Sequence, residues 1–158
     1  LLSEISTPAP LPAINLSAGK TATQSSLSAW SRGATLEEDA AGALNGIIDG
    51  THKFHTALED NPWWQVDLGT CHNICEVRIF NRIDPAIMDR FRHFTISVSI
   101  DGAAWAEIAA KDDDTDVGGF AGAPYIWAGP GEAWGRYVRI TLRGRNFLHL
   151  DQVQVFGR

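Results

Sequence analysis

Polar and apolar residues alternate along four stretches of the chain. These are Glu76-Val77-Arg78-Ile79-Phe80, Phe94-Thr95-Ile96-Ser97-Val98-Ser99-Ile100, Tyr137-Val138-Arg139-Ile140-Thr141-Leu142 and Val153-Gln154-Val155-Phe156. A period of two sends successive side chains to opposite faces of an extended strand. Each stretch therefore predicts a strand with one buried and one solvated face. Asp101-Gly102 closes the second stretch as a turn. Gly118-Gly119 and Gly129-Pro130-Gly131 break the chain further on. Ala40–Leu44 suits a helical turn, and no longer segment carries a helical repeat. Short strands, glycine-rich turns and no helical period predict an all-β sandwich or barrel.

Residues 1–13, LLSEISTPAPLPA, lack any period and hold three prolines. They read as a proline-rich arm or linker, with the domain proper spanning 14–158. A length of 158 residues fits one domain with a sizeable core. No apolar run approaches the length of a membrane span. The opening Leu1-Leu2-Ser3-Glu4 has no basic region before an apolar one, so no secretory signal is expected in this chain.

Charge narrows the partners. The net charge is −6, and Asp112, Asp113, Asp114 and Asp116 supply much of it. An acidic surface disfavours nucleic acid, whose phosphates call for Lys and Arg. Arg82, Arg90 and Arg92 nevertheless lie close enough in sequence to build a local basic pocket. Cys71 and Cys75 form neither a CxxC pair nor a zinc set and read as reduced, half-buried thiols, which leaves the compartment open.

Six tryptophans are many for this length. Trp63-Trp64 is the most informative pair. Neighbours on a strand face opposite ways, so one indole is expected in the core and the other at a loop or the surface.

Four blocks then resemble one superfamily. They are Gly19-Lys20-Thr21-Ala22-Thr23-Gln24-Ser25-Ser26, Ala43-Leu44-Asn45-Gly46-Ile47-Ile48-Asp49-Gly50, Asn61–Leu68 and Gly135-Arg136-Tyr137-Val138-Arg139-Ile140. In this order they resemble the discoidin, or factor V/VIII C-type, superfamily over roughly residues 14–158. The resemblance implies an eight-stranded antiparallel jelly-roll β-sandwich of the galactose-binding-domain-like kind. It implies a non-catalytic module that binds sugars, phospholipids or proteins through loops at one end.

Within the superfamily the chain is most similar to the fucose-binding F-type lectins. Their signature is a His, an Arg-x-Asp after twenty-six intervening residues, and a closing basic residue. His55 and Arg82-Ile83-Asp84 match that spacing. The closing residue is Arg90, one position later than in the family, and Pro85-Ala86 stand where the lectins carry a cysteine pair. The C-terminal run Gly144–Gly157 also resembles discoidin domains of bacterial polysaccharide and glycosyltransferase proteins.

The chemistry suits a sugar. Arg presents a rigid fork of donors able to hold two hydroxyls at once. Neutral His donates to or accepts from a hydroxyl, and Asp84 would orient a guanidinium. Phe54 or Trp64 would give an apolar wall for the C–H face of the ring. The resemblance further implies one structural calcium, held by the Asp49 side chain, by Gly46, Thr51 and His52 through their carbonyls, and by Gln152 where the family has a Glu. The Asp112–Gly118 run lacks the glutamate a calcium loop needs and reads as a solvated turn.

No nucleophile elbow, phosphate loop or dinucleotide fingerprint is present, and no carboxylate pair is placed across a cleft, so no enzyme is expected. The leading expectation is a carbohydrate-binding module for a fucosylated glycan or a bacterial polysaccharide, one module of a larger protein. The alternative is a protein-docking domain of a glycan-processing or glycosyltransferase-associated protein. Membrane binding ranks last, because the loops are polar or acidic.

Overall fold

The computed structural model describes residues 11–158, without the side chains of 130–132, so most of the expected arm lies outside the described residues. Eleven strands follow in order: β1 Ile14–Asn15, β2 Thr21–Gln24, β3 Phe54–His55, β4 Glu59–Asp60, β5 Trp63–Phe80, β6 His93–Ser99, β7 Ala106–Asp112, β8 Tyr125–Leu142, β9 Arg145–Asn146, β10 His149–Leu150 and β11 Gln152–Gly157. One helix, α1 (Leu36–Ala41), runs into a 3-10 turn at Gly42–Leu44. The helical turn expected at Ala40–Leu44 is thus the end of a longer helical segment. Thr35 caps α1 by accepting from the Glu38 amide, 3.1 Å away.

Seven strands form one antiparallel sheet in the order β1-β11-β5-β8-β6-β7, with β2 also on β5. The two longest strands pass through both layers of a sandwich. The first part of β5, Trp63–Asp67, pairs with β2 and with Tyr137–Thr141 of β8. Its second part, up to Phe80, pairs with β11 and with Tyr125–Ala128 of β8. Register shifts between Asp67 and His72 and between Ile74 and Glu76 bend the paired strands where one layer passes into the other. Gly129-Pro130-Gly131 therefore lies inside β8 at this bend and does not end a strand. Ile100, placed at the end of a strand by its pattern, lies just outside β6 and is exposed.

The four alternating stretches, with Trp64 and Val66 of β5, supply much of the core. Trp64, Val66, Phe94, Ile96, Val98, Val138, Ile140 and Leu142 are buried from one layer. Val77, Ile79, Val153 and Val155 are buried from the other. Opposed pairs such as Trp64↔Ile140 and Val77↔Val155 fall on the inward face of adjacent strands. Trp63 points outward, where the Arg139 guanidinium lies 4.1 Å from both its ring and that of Trp105. The turn after β6 has Gly102 at φ +79°, and Asp101 accepts from the Ala103 and Ala104 amides.

Candidate functional site

Two short strands set the site. In β3 and β10, His55 lies opposite His149 and Phe54 opposite Leu150. Adjacent residues alternate faces, so Phe54 enters the core and His55 does not follow it. Phe54 stacks on Trp64 at 6.0 Å, and both rings are wholly buried, with the Trp64 indole donating to the Ala40 carbonyl at 3.0 Å. Neither ring lines the pocket beside His55. The aromatic rings that line it are instead those of Trp30 and Phe147.

His55, Arg82 and Arg90 do converge. With Trp30, Ile87 and Phe147 they line a pocket of about 190 Å³. That is below the ~300 Å³ typical of drug-sized ligands and is on the scale of one ring. Trp30 is 59% exposed, and its ring lies 5.5 Å from that of His55 and 5.6 Å, edge-on, from that of Phe147. The Arg90 guanidinium lies 4.9 Å over the Phe147 ring, and its Nη1 is 3.5 Å from Nε2 of His149.

His55 is held in one orientation. Its Nδ1 faces the Thr56 carbonyl at 2.8 Å and the Ser28 hydroxyl at 3.2 Å. A carbonyl only accepts, so we assign the proton to Nδ1. Nε2 is then a lone-pair acceptor. The backbone of His55 is tied from both sides: Asp39 accepts from its amide at 2.9 Å, and its carbonyl accepts from Ser31 Oγ at 2.7 Å. Asp39 also accepts from the Arg32 and Gly33 amides and from Gln24 Nε2. One buried carboxylate thus joins β2, β3 and the loop that carries Trp30.

The loop after β5 delivers both arginines. Asp84 shapes it, its Oδ1 accepting from the Ala86 amide at 3.1 Å and its carbonyl from the Ile87 and Met88 amides. A 3-10 turn at Met88–Arg90 follows, and Asn81 Nδ2 donates to the Met88 carbonyl. Asp84 Oδ2 lies 3.7 Å from Arg82 Nη2, a loose ion pair. The carboxylate orients Arg82 weakly and builds the loop strongly. Burial holds the Arg82 guanidinium below its ordinary value, and Arg90 and Arg32 add repulsion against the pull of Asp84. Two like charges in one small hollow favour an oxygen-rich ligand.

His149, Trp30, Phe147 and Ile87 were not predicted from the sequence. His149 is buried, and its Nδ1 has no partner among the described residues. Burial, then His55, Arg82, Arg90 and His52, push its pKa down to about 2. His55 and His52 are also lowered, mainly by burial. In the unfolded chain these rings return to ~6.5. Below that pH the unfolded chain binds protons that the folded one refuses. Stability is therefore full above about pH 6.5 and is lost as pH falls towards the folded values. His149, the most strongly lowered of the three, contributes to that loss over the widest part of the window. His93 acts in the opposite sense, raised by Asp112 and then Asp114, but it is exposed. The denaturation midpoint is expected to fall steadily on acidification below pH ~6.5 and to fall less steeply in His149→Gln. A flat wild-type profile would contradict a neutral histidine cluster.

The residues expected around calcium are also close together, at the far side of the 49–53 loop. Asp49 Oδ1 accepts from the Thr51 amide and hydroxyl at 3.0 and 2.7 Å. The Gln152 oxygen accepts from the Gly46 amide at 2.9 Å, and the His52 carbonyl accepts from Arg32 Nε at 2.7 Å. The Lys53 ammonium lies among them, 2.7 Å from Asp49. The acidic run near Asp112 is compensated by bases: Lys111 meets Asp113, Arg92 meets Asp116, and His93 lies between Asp112 and Asp114. A larger hollow of about 300 Å³ near the β8 bend is lined by Ile100, Trp105 and Trp134. Its one carboxylate, Asp101, is engaged by its own turn. It offers fewer free polar groups than the His55 pocket.

The sequence profile of the F5/8 type C domain matches residues 21–149. The chain belongs to the F5/8 type C family. Among solved structures it is similar to a histidine mutant of the lectin-binding domain of lectinolysin complexed with Lewis b, at 30% identity and a TM-score of 0.72, covering 94% of this chain and 99% of that one. It is also similar to a fucolectin from striped bass (Morone saxatilis) serum, at 26% identity and a TM-score of 0.65, over 91% of this chain and 47% of that one. A Streptococcus pneumoniae fucose-binding module shares the fold, with a TM-score of 0.71 at 24% identity. No curated protein sequence matches the chain.

Proposed function

We propose that this F5/8 type C domain is a non-catalytic carbohydrate-binding module that takes a fucose residue of a glycan in the His55–Arg82–Arg90 pocket. The observation that carries the reading is the convergence of an acceptor nitrogen, two guanidinium groups and two aromatic rings on one ring-sized hollow. His55 Nε2 accepts one hydroxyl proton. Arg82 and Arg90 donate to vicinal hydroxyls and the ring oxygen. Trp30, with Phe147 behind it, covers the apolar face of the sugar. The fucose-related and Lewis b-complexed structures named above support the choice of sugar.

A glycan array probed with the folded protein is expected to light up on terminal fucose and to stay dark on unfucosylated counterparts. Trp30→Ala is expected to weaken binding about tenfold with little change in stability, because the ring is largely exposed and stacks at the edge of the pocket. An array with no fucose-dependent signal would overturn the proposal. A partner protein captured at the same loops with Arg82→Ala indifferent would favour docking to a protein instead.

A further inference from the structure

The 49–53 loop carries a cation of its own. Lys53 Nζ lies 2.7 Å from Asp49 Oδ1 and 2.5 Å from Asp151 Oδ1, and it approaches the Thr51 hydroxyl and carbonyl at 3.3 and 3.4 Å. Its side chain is 10% exposed, and that of Asp151 is 0% exposed. The other Asp151 oxygen accepts from the Asp49 and Gly50 amides at 3.0 and 2.7 Å. One ammonium thus gathers two carboxylates, a hydroxyl and a carbonyl. That is the set of hard oxygens a calcium ion would collect.

Gln152 completes the closure. The two hydrogens on its Nε2 are shared among the Gly42 carbonyl at 2.9 Å, Asn45 Oδ1 at 2.8 Å and the Asp151 carbonyl at 2.8 Å. Its oxygen is engaged by the Gly46 amide. Among the expected ligand atoms, Asp49 Oδ1 therefore meets the Thr51 amide and hydroxyl, the Thr51 carbonyl meets Lys53 Nζ, the His52 carbonyl meets Arg32 Nε and the Gln152 oxygen meets the Gly46 amide. A divalent ion placed between Asp49 and Asp151 would face the Lys53 ammonium at contact distance, and like charges there repel strongly. The residues present do not fit calcium.

We propose that Lys53 is a built-in replacement for the structural calcium, so that this domain folds and holds its ligand loops without metal. The loop so fixed reaches the pocket. The Gly50 carbonyl accepts from the Ile83 amide at 2.8 Å, one residue from Arg82. Lys53 also immediately precedes β3, whose second residue is His55.

The test uses the purified chain and calcium alone, read by thermal melting and metal analysis, so it stands apart from whether any sugar binds. The wild-type melting temperature is expected to be the same in chelator and in millimolar calcium, with no calcium retained after desalting. Lys53→Met is expected to melt roughly 10 °C lower in chelator, because it leaves the buried Asp151 without its counter-charge. An unfolded Lys53→Met protein would support the same conclusion. A wild-type melting point raised by calcium, about one retained equivalent of the ion, or a Lys53→Met variant as stable as wild type would each overturn it.

Discussion

Arg82→Ala is expected to reduce fucose affinity by at least about a hundredfold while leaving the fold intact. A guanidinium that holds two hydroxyls makes charge-assisted hydrogen bonds worth ~1.5–3 kcal/mol each, and losing two removes on the order of 3–6 kcal/mol of binding. Against this, the side chain does little for stability. Its ionic partner is Asp84, at a loose 3.7 Å, and Arg90 repels it. An ion pair of that kind contributes less than ~1 kcal/mol, so the melting temperature should barely move. Arg82→Lys keeps the charge but loses the planar fork, and it should recover only part of the affinity. Calorimetric titration of free fucose, paired with a thermal melt, checks both halves. A variant that binds as well as wild type would place the sugar elsewhere.

That separation between binding and stability follows from how the site is assembled, and so does what could be read in advance. The strands were legible because Val77, Ile79, Ile96, Val138, Ile140 and Val153 carry their period in the local sequence, and burial follows period. His55, Arg82 and Arg90 were legible only as a spacing. Their convergence depends on β3 pairing with β10 and on the loop that Asp84 and Asn81 shape. The aromatic lining of the pocket differs from the expected one for a related reason. Phe54 and Trp64 flank informative residues in sequence, but alternation sends each towards the core. Trp30 and Phe147 come from two other loops, 117 positions apart (147 − 30), and no local pattern links them. Gly129-Pro130-Gly131 has the composition of a break, yet it lies within a strand that bends between layers. The role of Lys53 is not legible in the local sequence, because its deciding partner, Asp151, lies 98 positions away.

Asp39→Ala is expected to give the converse result, a loss of stability that takes binding with it. The carboxylate is buried and makes four hydrogen bonds: to the Arg32 amide at 2.6 Å, the Gly33 amide at 3.0 Å, Gln24 Nε2 at 2.8 Å and the His55 amide at 2.9 Å. Each oxygen serves two donors. Alanine leaves all of them without this acceptor in a place water reaches poorly, which costs on the order of 4 kcal/mol. For a chain of this size that lowers the melting temperature by roughly 10 °C. Asparagine should do almost as badly. Its amide oxygen satisfies one pair of donors, and its NH2 group then confronts the other pair. Because two of the freed groups belong to the loop carrying Trp30 and one is the His55 amide, the pocket loses its aromatic wall and its acceptor together. Even the fraction of Asp39→Ala that remains folded should therefore bind fucose weakly, whereas Arg82→Ala stays folded and does not bind. If Asp39→Asn melted like wild type, the buried carboxylate would not be the anchor of the site.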